Sequence, residues 1–169
     1  MIENRKSYRV PFRRKFVFST PNEVLAGNCL NISSGGVFIL TMESEKLKRD
    51  MECRTLFGLD DDEEPIAIDC VVRRIVQRTS NPEDIPGAGF AFKSVTDKQG
   101  DRIANYMERL RKKYELAATL VMSGEPDRQS LQPLLKSMFV PSYSDLGELQ
   151  FYIERILRAI ELVDRAPTP

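Results

Sequence analysis

The chain has 169 residues, 41% of them apolar and 30% charged, which is enough for a packed core and too apolar for a disordered chain. Lys plus Arg and Asp plus Glu number 25 each, so the net charge is zero and no global field draws the chain to nucleic acid or an anionic membrane. There is no His, which removes the commonest general base and the commonest metal ligand.

This length fits one domain, or one with an appendage. No window approaches the ~18 to 20 apolar residues of a membrane span. The opening Met1-Ile2-Glu3-Asn4-Arg5-Lys6 is followed by no apolar run, so no signal peptide is expected. Cys29, Cys53 and Cys70 are odd in number, widely spaced and set in strand-like runs. They read as small buried hydrophobes of a reducing compartment, which places the chain in the cytoplasm, rather than as disulfides or metal ligands.

In chain order, residues 1–15 form a basic arm of Arg5, Lys6, Arg9, Arg13, Arg14 and Lys15, interleaved with Tyr8 and Phe12. Arg5, Arg9 and Arg13 are four apart, giving two overlapping R-x-x-x-R pairs. Pro11 favours an extended path at Val10 and argues against a helix there. Strand-like patterns follow: Phe16–Phe18, Val24–Asn31, Gly36–Leu40, Cys53–Leu59, Ile66–Gln77 and Gly87–Phe92. The second and third flank Asn31-Ile32-Ser33-Ser34-Gly35-Gly36, a tight turn whose hydroxyls and amide can bond their own backbone or a ligand. Lys46–Asp50 is a charged connection. The acidic run Asp60-Asp61-Asp62-Glu63-Glu64-Pro65 lacks the spaced ligands and central Gly of a calcium loop, so it reads as a solvated hairpin tip. In Ile66–Gln77, Ile66, Ile68, Cys70 and Val72 share one face at period two. Residues 78–86 form a polar loop. Six short strands separated by turn signals predict a small antiparallel barrel or sandwich.

At Thr96 the period changes. Thr96-Asp97-Lys98-Gln99 has capping-box form. Ile103, Met107, Leu110, Tyr114, Ala117 and Val121 then recur three and four apart, as on an amphipathic helix that Gly124 and Pro126 stop. A second helix is expected from about Leu131 to Phe139, with Pro133 in its first turn. A third begins near Asp145, with Asp145 and Glu148 as a capping pair. Its seam, Leu149, Ile153, Ile156, Ile160 and Val163, fits either packing within the chain or an unidentified protein partner or second copy.

The arm Arg5-Lys6-Ser7-Tyr8-Arg9, the turn Asn31-Ile32-Ser33-Ser34-Gly35-Gly36 and the strand Gly87-Ala88-Gly89-Phe90-Ala91-Phe92 together resemble the PilZ domain family over about residues 3 to 114. The family pattern is an R-x-x-x-R arm followed by [D/N]-x-S-x-x-G in a six-stranded barrel. The resemblance implies a mostly β fold plus α: a PilZ-type antiparallel β-barrel over residues 1–114, then a helix and a helical extension over 115–169. It implies a non-catalytic effector that binds cyclic di-GMP and needs no cofactor. By this resemblance the ligand residues are Arg5, Arg9, Asn31, Ser33 and Gly36, with Lys6, Ser34, Gly35, Arg73 and Arg74 as further candidates. Arg is a planar fork that suits guanine edges, base faces and phosphate. Binding would order the arm on the barrel and alter partner contacts.

The sequence departs from the pattern in two places. The family often has another Arg before the first motif Arg; here it is Asn4, which leaves one ligand molecule or an intercalated pair open. Asn31 stands for the commoner Asp. Arg9 and Arg13 share the motif spacing but straddle Pro11, so the Arg5 register is preferred. The alternative is a degenerate PilZ-like adaptor that contacts only protein, through its helical tail. A nucleic-acid polymer as partner fits the basic arm but not the neutral net charge.

Overall fold

The computed structural model describes residues 8–60, 64–79, 86–123, 128–138 and 146–164. Seven strands come first: β1 (Val10–Pro11), β2 (Lys15–Ser19), β3 (Val24–Ser33), β4 (Gly36–Leu40), β5 (Glu52–Phe57), β6 (Ile66–Val76) and β7 (Gly87–Ser94). Helices α1 (Asp97–Met122), α2 (Arg128–Ser137) and α3 (Leu146–Asp164) follow. Two compact units result, residues 12–104 and, among the rest described, 8–11 with 105–164. The division expected at residue 114 falls inside the single helix α1.

In the first unit the ladder runs β3-β2-β5-β6-β7-β4, and β4 pairs back onto β3, which closes a six-stranded antiparallel barrel. Closure leaves no open sheet edge among these six strands. The alternation read from sequence sets the inward residues. β5 buries Cys53, Thr55 and Phe57 and exposes Glu52, Arg54 and Leu56. β2 buries Phe16 and Phe18. Phe16 stacks on Phe57 at 4.3 Å, and Phe18 meets Phe90 at 5.1 Å. Each such ring contributes about 1.5–3 kcal/mol by burial. The buried hydroxyl of Thr55 is satisfied by donating to the Ile68 carbonyl at 3.1 Å.

All three cysteines are buried and free. Burial pushes the Cys29 and Cys70 thiols up to about 12, with the neighbouring Cys53 adding to the effect at Cys70. They are core residues, as their strand-like context predicts.

The capping box at α1 is reciprocal: Thr96 N donates to Gln99 Oε1 at 3.0 Å, and Gln99 N to Thr96 Oγ1 at 3.3 Å. Gln99 Nε2 also donates to the Ala67 carbonyl of β6 at 2.7 Å, so the cap anchors the helix start to the barrel.

In the second unit Tyr114, Ala117 and Val121 of α1, Leu131 of α2, Met138 just beyond it, and Leu149 and Ile153 of α3 form one buried cluster. Ile156 packs against it. For Leu149, Ile153 and Ile156 the seam of α3 is therefore turned onto the chain's own helices, the first of its two expected uses. The side chains of Ile160 and Val163 lie outside the described residues. Helix α2 starts at Arg128, earlier than expected, so Pro133 stands inside the helix and not in its first turn. Arg128, Gln129 and Ser130 extend the helix without adding apolar periodicity, which is why the pattern missed them. Phe139, Asp145 and the centres of the acidic run and of the 78–86 loop lie outside the described residues.

No helix among the described residues is long and apolar enough to cross a membrane.

Candidate functional site on the outer barrel wall

Strand β3 contains the fold's decisive irregularity. Cys29 pairs with Ile39 and Asn31 with Phe38, so Leu30 is an extra residue, a β-bulge. Cys29 and Ile32 are both fully buried although three residues apart. The inserted residue flips the pleat, because side-chain direction alternates at period two. Without it Asn31 would share the inward phase of Cys29. With it, Asn31 takes the outward phase and is half-buried, while Ser33 stays buried at the turn.

Strand register then builds two transverse rows. Asn31 of β3 pairs with Phe38 of β4, Phe38 with Gly89 of β7, and Gly89 with Arg74 of β6. The neighbouring row is Ser33, Gly36, Ala91 and Val71. In β4 the buried Val37 and Ile39 flank Phe38, which places the half-buried Phe38 on the opposite, outer side.

The turn residues divide the work. Ser33 is buried, and its Oγ donates to the Gly36 carbonyl at 3.2 Å, closing the turn on itself. Ser34 and Gly35 are exposed at the tip. The Gly35 carbonyl accepts from Phe92 N at 3.0 Å, tying the tip to β7. A β-carbon at Gly36 would lie 2.1 Å from the Phe90 carbonyl oxygen, so the crowding there comes from the barrel's own backbone. That is a structural demand for glycine, separate from the close ligand approach expected for it.

Asn31 is different. Its side-chain oxygen Oδ1 is buried and has no hydrogen-bond partner among the described residues. A buried acceptor left unmade costs about 1–3 kcal/mol, so an incoming donor at this point would be rewarded.

The two strand arginines separate. Arg73 is the bulge residue between Val72 and Arg74, and its guanidinium pairs with Asp50. Arg74 is exposed and aligned with Asn31 and Phe38 in the first row, while the nearby Asp69 and Asp50 pair with Arg54 and Arg73. The lower end of the arm is fixed beside the bulge: Phe12 N donates to the Leu30 carbonyl at 3.1 Å, and Cys29 N to the Arg14 carbonyl at 2.8 Å. Arg9 is exposed. Arg5 and Lys6 lie outside the described residues. Phe38 is not among the site residues the sequence suggests, since an apolar residue within a strand carries no mark of facing outward.

Among the described residues no group of three or more His, Cys, Asp or Glu could hold a metal ion.

The family model for the PilZ domain matches residues 3–109, well over half of the chain. The chain belongs to the PilZ domain family. The match ends inside α1, so it takes in the barrel and leaves out most of the helical unit. Comparison with curated protein sequences gives no match. Solved structures with this PilZ fold include the inhibitor of motility MotI/DgrA of Bacillus subtilis, at TM-score 0.55 and 18% identity over 64% of this chain and 51% of that one. YcgR of Escherichia coli in complex with c-di-GMP has TM-score 0.56 and 17% identity, over 69% and 50% of the two chains. The MrkH–c-di-GMP complex of K. pneumonia has TM-score 0.52 and 20% identity, over 65% and 53%. This PilZ chain spans about half the length of each. At these identities the likeness is one of fold.

Proposed function

We propose that this PilZ-domain protein is a non-catalytic cytoplasmic receptor for cyclic di-GMP, bound on the outer wall of the barrel at the β3–β4 turn. The observation that carries the reading is the unpartnered, buried Oδ1 of Asn31 on that wall. A guanine edge brings N–H donors that this acceptor lacks, and its O6 and N7 suit an Arg fork. In this reading Arg5 and Arg9 of the arm supply that fork and pair with phosphate, with Lys6 adding charge. Ser33, Ser34 and Gly35 form the polar rim, and Gly36 lets the turn sit flat against β7. The family membership and the cyclic di-GMP complexes of YcgR and MrkH support the choice of ligand.

Ligand capture then orders the arm and alters contacts with a protein partner. The helical unit is the surface for that contact, since Leu116, Met122 and Phe151 stand exposed on it.

The test is calorimetric titration of the full chain with cyclic di-GMP and cyclic di-AMP. Saturable binding of the guanine ligand is expected, at least tenfold tighter than the adenine one, because the adenine base-pairing edge does not offer the same donors. Arg5→Ala, Arg9→Ala and Asn31→Ala should each weaken it. No heat from folded wild-type protein at high ligand concentration would overturn the receptor reading and leave the protein-only adaptor. Polymer binding that falls steeply with salt and ignores the cyclic dinucleotide would replace it with a nucleic-acid reading.

A further inference from the structure

The row that begins at Asn31 does not stop there. Phe38 lies directly opposite it in the ladder, and paired residues hold their β-carbons about 4.5–5.5 Å apart. A base that donates to Asn31 Oδ1 therefore lies within reach of the Phe38 ring.

The ring itself is held in an unusual way for an outer-wall aromatic. Its Cε1 lies 3.1 Å from where a β-carbon would stand at Gly87, and its Cδ2 lies 3.8 Å from the same point at Gly89. The ring thus extends over β7, across positions that carry no side chain. A β-carbon at Gly87 would meet the Ile39 carbonyl oxygen first, at 2.4 Å, and then the ring. Underneath, β4 and β7 are paired in continuous register from Gly36–Ala91 to Leu40–Gly87. Outside, the ring is only half-buried. One strand further on stands Arg74, about 10 Å from Phe38 at the usual strand spacing. An acceptor, an aromatic ring, a bare glycine and a cation follow one another across four strands.

We propose that Phe38 is the base-stacking platform of this site and that Arg74 is the strand cation taking the neighbouring phosphate. The proposal rests on the cyclic di-GMP reading and deepens it: Asn31 selects the base by its edge, and Phe38 holds it by its face. Stacking is tolerant of base identity, so Phe38 supplies affinity and Asn31 supplies choice. Arg73, one residue away, is turned to Asp50 instead.

The experiment titrates cyclic di-GMP into the full-length wild type, Phe38→Leu, Phe38→Tyr, Arg74→Ala and Arg74→Lys, by calorimetry and by proton NMR. Leu keeps apolar cover over the glycines but has no π face. Phe38→Leu should stay folded and bind about tenfold or more weakly, whereas Phe38→Tyr stays near wild type. The ligand's guanine H8 signal should move upfield in wild type and Phe38→Tyr, and not in Phe38→Leu. Arg74→Ala should weaken binding and flatten its salt dependence, and Arg74→Lys should restore both, as a phosphate contact requires. Wild-type binding with Phe38→Leu equal to it, or with no upfield shift in wild type, overturns the proposal alone. Absence of binding by wild type overturns the receptor reading and this proposal with it.

Discussion

The barrel and the helical unit hold together by different means. In the barrel every strand is hydrogen-bonded on both sides, and the core is a set of rings meeting inside a closed wall. In the helical unit each helix satisfies its own backbone, and among the described residues one cluster of seven buried side chains joins the three. The difference matters for function. A closed wall keeps its outer rows in fixed register, which suits recognition of a rigid ligand. Helices packed through a few side chains can shift at modest cost, which suits a responsive surface.

The largest effect should come from the barrel core. Phe16→Ala removes a fully buried ring stacked on Phe57 and should cost about 3–5 kcal/mol, measured by urea unfolding. A loss below 1 kcal/mol would mean that the barrel is not the rigid partner in this comparison. Ile153→Ala should cost about 2–4 kcal/mol, with faster hydrogen exchange confined to residues 105–164. Equal acceleration in the barrel strands would show one cooperative unit and erase the contrast.

Much of this contrast was legible in the sequence. Period two in Ile66–Val72 and the three-four spacing from Ile103 to Val121 each report which side of an element is covered, and the residues of both patterns are buried. The site was legible only as far as its polar residues. Ser33, Gly35 and Gly36 announce a turn by their chemistry. The bulge at Leu30 does not, because Leu30 is apolar and fits either phase; the one trace is that Cys29 and Ile32 are out of step. The same limit hid Phe38, which looks like core until the register is known. It also left Arg73 and Arg74 equivalent until a second bulge, between Val72 and Arg74, separated them. Helix α2 begins before its apolar periodicity does, because its first residues are polar.

A smaller effect is expected at the turn. Gly36→Ala forces a β-carbon against the Phe90 carbonyl and should cost about 1–3 kcal/mol by thermal or urea unfolding. A neutral outcome would show that the β4–β7 wall yields, contrary to the fixed register argued for it. The smallest effect lies on the helices. The hydrogen-bonded Arg111 guanidinium holds the Glu108 carboxyl below its ordinary value of 4.5. Its contribution is complete above 4.5 and is lost as pH falls through the lowered folded value. Solvent screening limits it to a few tenths of a kcal/mol. NMR titration of the Glu108 carboxyl should give a midpoint under 4.5, rising towards it in Arg111→Gln.

The proposed contact is between a guanine edge and the bulge-turned Asn31 amide on the barrel wall. Its most direct measurement is nitrogen-edited NMR of the full chain during a cyclic di-GMP titration, following the Asn31 side-chain amide and the Gly35 and Gly36 backbone amides. Saturable shifts are expected at these groups and along the row through Gly89. Unmoved signals there at saturating ligand, or shifts confined to residues 105–164, would contradict it.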